Sequence, residues 1–151
     1  MDKVLKLEPF SRVFLEKSFQ WCNDPEIQEL IDGCPVTKEQ QEKWYAALPL
    51  RKDYKIWGLS CNGTPIGSCG LKDIDEKSAE YFGYIGEKEY WGGLGAKLVT
   101  LVETEVRQMH LSRIYLKVLF TNPRAKHLYE KLSYTEYKKD DRFAYYYKDI
   151  D

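Results

Sequence analysis

The chain has 151 residues, 43% of them apolar and 15% aromatic, enough for one buried core and one domain spanning 1–151. Its 23 Lys and Arg balance 24 Asp and Glu to a net charge of -1, which removes any global electrostatic reason to expect nucleic acid or an anionic membrane as partner. No run approaches the roughly 20 apolar residues that span a bilayer, and MDKVLKLEPF lacks the apolar centre of a signal peptide, so a cytoplasmic protein is expected.

Elements alternate along the chain without a linker or repeat. VLKLEP (4–9) reads as a short strand, and helical segments follow at Ser11 to Phe19 and Thr37 to Leu48, with WCNDPEIQELI between them as a helical turn. YKIWGLSC (54–61) and PIGSCGLKDI (65–74) flank Asn62-Gly63, two residues that tolerate the positive φ of a type I′ turn, and so form a hairpin. A fourth strand covers Ser78 to Gly86. After a glycine cluster, Leu94, Leu98, Leu101, Val102, Val106 and Met109 mark one stripe of a helix. RIYLKVL (113–119) alternates as a fifth strand. Asn122-Pro123 then opens a helix, Asn as N-cap and Pro in the first position, and YTEYK and FAYYYKD close the chain as strands. This order predicts a mixed α/β fold around one sheet.

Cys22, Cys34, Cys61 and Cys69 form no C-x-x-C motif, and His110 and His127 complete no zinc spacing. All four thiols are expected to be reduced and at least half-buried, and no metal is expected. Cys69, in an apolar strand with no base beside it, reads as core rather than nucleophile.

The residues YWGGLGA (90–96) place three glycines between a strand and a helix. Such a junction serves as a tight turn; it also offers free N–H groups and a positive dipole end to a phosphate, with no Cβ in the way. No G-x-x-x-x-G-K-[ST] is present, and the third glycine of a dinucleotide fingerprint is missing.

Tyr90-Trp91-Gly92-Gly93-Leu94-Gly95 resembles the Gln/Arg-x-x-Gly-x-Gly/Ala pattern of the GNAT superfamily of acetyl-CoA-dependent N-acetyltransferases, with Tyr90 at the usual Gln or Arg position. TNPRAKHLYEKLSY (121–134) resembles a second segment of that family through Asn122, Ala125, Tyr129, Glu130 and Lys131. The resemblance covers nearly the whole chain and implies the GNAT fold: a single mixed, mostly antiparallel sheet flanked by helices, with splayed fourth and fifth strands. It implies acetyl-CoA as cosubstrate and no metal. Pantetheine would lie against the strand ending Tyr84-Ile85, the amides of Gly92, Gly93, Leu94, Gly95 and Ala96 would hold the pyrophosphate, and Tyr90 would belong to the same cofactor site. Asn122 would touch the pantetheine arm, a role that can coexist with N-capping.

In such an enzyme the amine attacks unprotonated, an amide near Ile85 would steady the oxyanion, and Tyr129 would protonate the leaving thiolate. Where some protein-acetylating members carry a fifth-strand glutamate, Lys117 stands here. Glu80 is the remaining candidate base, acting through water, with Asp73 and Asp75 behind it; a solvated strand-end carboxylate is the competing reading. Trp21, Trp44, Tyr81, Tyr84 and Tyr145 to Tyr147 would wall the acceptor pocket, and an aromatic pocket suits a sugar ring or base. The layout is similar to GNAT enzymes acetylating amino-sugar nucleotides; a small-molecule amine is the expected partner, and the chain a monomer or homodimer. An N-terminal protein acetyltransferase of the ribosomal-protein type and a non-catalytic acyl-CoA-binding domain are the alternatives.

Overall fold

The computed structural model describes residues 2–31 and 33–151. β1 (Leu5–Pro9) leads into α1 (Arg12–Cys22), the one-turn α2 (Pro25–Gln28) and α3 (Lys38–Ala47). β2 (Lys55–Cys61), β3 (Thr64–Lys72) and β4 (Ser78–Ile85) follow, then α4 (Gly95–Gln108), β5 (Arg113–Leu119), α5 (Pro123–Lys131), β6 (Thr135–Lys139) and β7 (Phe143–Asp149). The strands form one seven-stranded sheet in the order β1-β2-β3-β4-β5-β7-β6. Among the described residues only β4 and β5 pair in parallel, and the other five pairings are antiparallel. The expected mixed, mostly antiparallel sheet is therefore the one that forms.

Local chemistry accounts for the boundaries. Asn62 (φ 51°) and Gly63 (φ 86°) both take left-handed conformations at the β2–β3 turn, as a type I′ hairpin requires. Thr37 and Gln40 form a reciprocal capping box at the start of α3, satisfying two N–H groups that the helix itself leaves free. At α5 the Asn122 side chain accepts from the Ala125 N–H at 3.2 Å and Pro123 occupies the first turn.

Strand alternation sorts side chains onto two faces. On one face Gly58 admits the ring of Phe14, so α1 lies close to the sheet, and α3 follows through Trp44 packed on Tyr54, which stacks on Phe82. The other face carries α4, whose Leu98, Val99, Val102 and Val106 are buried with Leu59, Ile66, Leu71, Ile114 and Leu116. Glu103 is buried in this core at 6% exposure, compensated by the Tyr134 hydroxyl at 2.8 Å and the Lys148 ammonium at 3.1 Å. Both partners offset the cost of burying the carboxylate, and removing either would strand a buried charge.

The expectation of four reduced cysteines is corrected for two of them. Cys22, the last residue of α1, and Cys34 form a disulfide with their Cα atoms 5.3 Å apart. α2 folds the chain back on itself between them, a reversal that cysteine spacing does not encode. Cys61 and Cys69 are free and buried. Burial pushes the Cys69 thiol well above its ordinary value, so it is the inert core residue expected. Among the described residues no helix is long and apolar enough to cross a membrane, and no cluster of His, Cys, Asp or Glu could hold a metal.

Candidate active site

β4 and β5 pair over three positions, Ser78 with Arg113, Ala79 with Ile114 and Glu80 with Tyr115, and then part, although β4 continues to Ile85 and β5 to Leu119. The Gly86 N–H donates to the Ile66 carbonyl at 2.7 Å in the antiparallel register with β3. By alternation, Glu80, Phe82 and Tyr84 direct their peptide groups to β3, whereas Tyr81, Gly83 and Ile85 direct theirs toward β5, into the fork. A row of peptide groups thus lines an open cleft. Tyr84 does not contribute its backbone to that row: its carbonyl oxygen faces Gly67 of β3. Its ring stands edge-on to Trp21 at 6.1 Å, and burial pushes its phenol up to about 12.

At the mouth of the fork lies the glycine loop. A 3₁₀ turn, Lys88–Tyr90, brings the chain off β4, and the Trp91 indole N–H donates back to the Ile85 carbonyl at 2.7 Å. Gly92 (φ 87°) and Gly93 (φ 89°) are left-handed, with nothing within 4 Å of where a Cβ would stand. Leu94 then caps α4 with no side-chain hydrogen bond to its first turn. The N–H groups of that turn and the unshielded loop match what a pyrophosphate needs. Gly95 has another purpose: a Cβ there would meet Leu128 of α5 at 2.7 Å, so this glycine sets the close approach of α4 and α5. Tyr90 packs on the core and its ring lies 5.7 Å from the Lys3 ammonium.

Across the fork, Tyr129 on α5 meets Tyr81 edge-on, centroids 6.3 Å apart, and Tyr134 at 5.8 Å. Burial pushes its phenol up to about 12, an effect that the neighbouring Tyr81 partly offsets. Tyr81 therefore belongs to the face of α4 and α5 and not to the acceptor wall expected of it. The same correction applies to Tyr146, which is fully buried with its hydroxyl 3.1 Å from Glu130.

The opposite face holds the remaining aromatic side chains. Tyr115, Tyr145 and Tyr147 share it by register, and Tyr137, at a bulge in β6, stands 5.8 Å from Tyr115 and 5.9 Å from Tyr147. Neither Tyr115 nor Tyr137 stood out in the sequence, although odd-numbered positions on RIYLKVL pointed to one face. Glu80 sits on this face at the last paired position and holds Lys72 at 3.2 Å. Asp75 is occupied by the Lys77 and Ser78 N–H groups, both at 2.8 Å, as a turn former. The second Asn122 function, toward Leu30 O at 3.4 Å, also lay outside what the sequence revealed.

The acetyltransferase (GNAT) family model matches residues 18–134, and the chain belongs to that family. It is an N-acetyltransferase using acetyl-CoA. No curated protein matches it by sequence. Among solved structures, a domain from Methanocaldococcus jannaschii is similar at 22% identity and TM-score 0.86, covering 99% of this chain and 100% of that one. The Campylobacter jejuni N-acetyltransferase PseH, solved with acetyl coenzyme A, aligns at 20% identity and TM-score 0.78, covering 98% and 100%. Spermidine N-acetyltransferase from Vibrio cholerae, solved with CoA and spermine, aligns at 21% and 0.86, covering 96% and 95%.

Proposed function

We propose that the chain moves an acetyl group from acetyl-CoA to the amino group of an amino-sugar nucleotide or related small amine. The coenzyme supplies a thioester carbonyl to the fork. The open first turn of α4 with Gly92, Gly93, Leu94, Gly95 and Ala96 holds the pyrophosphate, and the Ile85 N–H takes the pantetheine arm. Asn122 borders that arm while capping α5.

Tyr129 meets the ring of Tyr81, whose hydroxyl lies over Gly83, so the sulfur it serves lies about 7 Å lower along β4 than Ile85, two residues at strand spacing. The oxyanion donor is therefore the Gly83 N–H rather than the Ile85 N–H first considered. Tyr129, protonated throughout the neutral range, gives its proton to the departing thiolate. The amine enters from the opposite face, so nucleophile and leaving group are served from two sides of the sheet. Glu80, on the amine's side of the fork, receives the amine's proton through water.

One observation favours the sugar nucleotide: the tyrosine floor of Tyr115, Tyr137, Tyr145 and Tyr147 lies on the amine's face and is half-buried or exposed. Tyrosine rings stack on sugar and base rings. Lys117, with its ammonium 4.6 Å from the Phe143 ring, supplies a cation for a diphosphate. Two carboxylates of this face are each held by a cation, Glu80 by Lys72 and Asp149 by Arg113, which leaves them less available to a polyamine. Thiol release from acetyl-CoA with an amino-sugar nucleotide, spermidine and a peptide bearing a free N-terminus, side by side, tests this. The sugar nucleotide should turn over fastest; faster peptide turnover would move the assignment to protein N-terminal acetylation.

A further inference from the structure

We infer that the segment from Trp21 to Leu30 is a strap across the open end of the β4–β5 fork, locked by the Cys22–Cys34 disulfide, with Lys88 and Thr121 as the positioning residues through which it holds the fork ready for acetyl-CoA. The inference rests on the proposed seat of acetyl-CoA in the fork.

β4 and β5 run parallel and pair only at Ser78 to Glu80 and Arg113 to Tyr115, so both lips of the fork end on the same side of the sheet, at Ile85 and Leu119. The chain just beyond each lip is bonded to the strap. Beyond β4, the Trp21 indole N–H donates to Glu87 at 2.8 Å, and the Lys88 ammonium lies 2.8 Å from Asp24 and 2.9 Å from Glu26. Lys88 also opens the 3₁₀ turn that leads to the glycine loop. Beyond β5, the Thr121 hydroxyl donates to the Glu29 carbonyl at 3.0 Å and the Asn122 amide to that of Leu30 at 3.4 Å. Between the two sets of anchors lies α2, with Ile27 buried. One end of the fork is thus closed by strand pairing and the other by side-chain bonds to the strap.

The strap has little structure of its own. A helix of one turn does not persist alone, and exposed ion pairs and single hydrogen bonds are individually weak. The disulfide gathers them: it returns Cys34 to the end of α1 and removes the freedom that the intervening loop would otherwise regain. With the lips already set, binding energy is not spent on ordering them. Cys34 is half-buried and Cys22 buried, so the Cys34 sulfur is the one a thiol reaches. A dithiol thiolate attacks it, the S–S bond breaks and Cys22 leaves as a thiolate. The second thiol of the reagent then displaces Cys34 and closes the reagent's own disulfide. Two electrons pass to the protein, and the two protons of the dithiol end on the two cysteine sulfurs.

The test is calorimetric titration with acetyl-CoA, which carries no free thiol, at a temperature where circular dichroism shows each form folded. Dithiothreitol should weaken binding about tenfold, and reoxidation should restore it. Cys22→Ser with Cys34→Ser should bind as the reduced protein does and ignore dithiothreitol, which separates this bond from the free thiols of Cys61 and Cys69. With the disulfide intact, Lys88→Met and Thr121→Val should each weaken binding about threefold, and Lys88→Arg, which keeps the charge, should bind as the parent does. Full affinity in the reduced protein, or in both Lys88→Met and Thr121→Val, would overturn the strap. Gly93→Ala reports on the seat itself: full affinity there would overturn the placement of the coenzyme, and the strap with it.

Discussion

Trp91 donates its indole N–H to the carbonyl of Ile85 at 2.7 Å, fastening the glycine loop to the end of the strand it leaves. The bond occupies the Ile85 carbonyl and leaves its N–H to the fork. Trp91→Phe keeps most of the ring and deletes the donor, a loss of about 1 kcal/mol where a partly buried carbonyl goes unpaired. Coenzyme A affinity should fall three- to tenfold by calorimetry; unchanged affinity would detach this bond from the site.

The glycines of the loop separate into two kinds. Gly93 has φ 89° and open space around it, so Gly93→Ala meets conformational strain of about 1 kcal/mol without a clash. It should weaken coenzyme A binding with a small change in Tm. Gly95→Val drives side-chain atoms into Leu128 and should lower Tm by several degrees, whatever it does to binding. Scanning calorimetry of both variants, with and without coenzyme A, distinguishes the cases.

Two pH dependences follow from the tyrosines. Tyr129, with its phenol pushed up to about 12, remains an acid through the working range, so kcat should rise as the amine deprotonates and show no falling limb below about pH 10. For stability the sign is set by proton affinity. Tyr54, Tyr84 and Tyr129 each hold their proton to about 12 when folded, against 10.0 for a free phenol. Their contribution is complete below pH 10 and is lost as pH climbs toward 12. Urea midpoints should be level from pH 7 to 9 and fall steeply above 10.

Glu80 either relays a proton or merely holds Lys72. Glu80→Gln should lower kcat about 10- to 100-fold at pH 7, recovering at a pH where the amine is already free, while Lys72→Met has little effect. Matching losses in both variants would reduce Glu80 to an ion-pair residue.

The Cys22–Cys34 bond closes a loop of separation 12, worth about 3 kcal/mol in the chain-entropy account. Dithiothreitol, or Cys22→Ser with Cys34→Ser, should lower the urea midpoint accordingly. No change would show that the segment is held by its other contacts.

Much of the architecture was legible because short-range signals carried it: Asn62-Gly63 for the hairpin, Asn122-Pro123 for α5, and period-two alternation for β5. What escaped depended on long-range register. Tyr81 and Tyr84 are three residues apart in one strand, yet the pleat sends them to opposite faces, and nothing local says which face receives α5. Gly83 was overlooked because its meaning lies in a hydroxyl that arrives from Tyr81. The disulfide was missed because the reversal at α2, which brings Cys34 to Cys22, is a tertiary event. Ile85 and Gly83 share the same side of the strand, so only the position of Tyr129 across the fork chooses between them.

Thr121 and Asn122 reach across from the start of α5 to the carbonyls of Glu29 and Leu30, at 3.0 and 3.4 Å. The helix bearing Tyr129 is thereby tethered to the segment that follows α2. Any displacement of that segment would pull on the N-cap of α5 and so on the tilt of the helix itself. Two neighbouring side chains, Thr121 and Asn122, thus make a mechanical linkage between the segment after α2 and the helix that carries Tyr129.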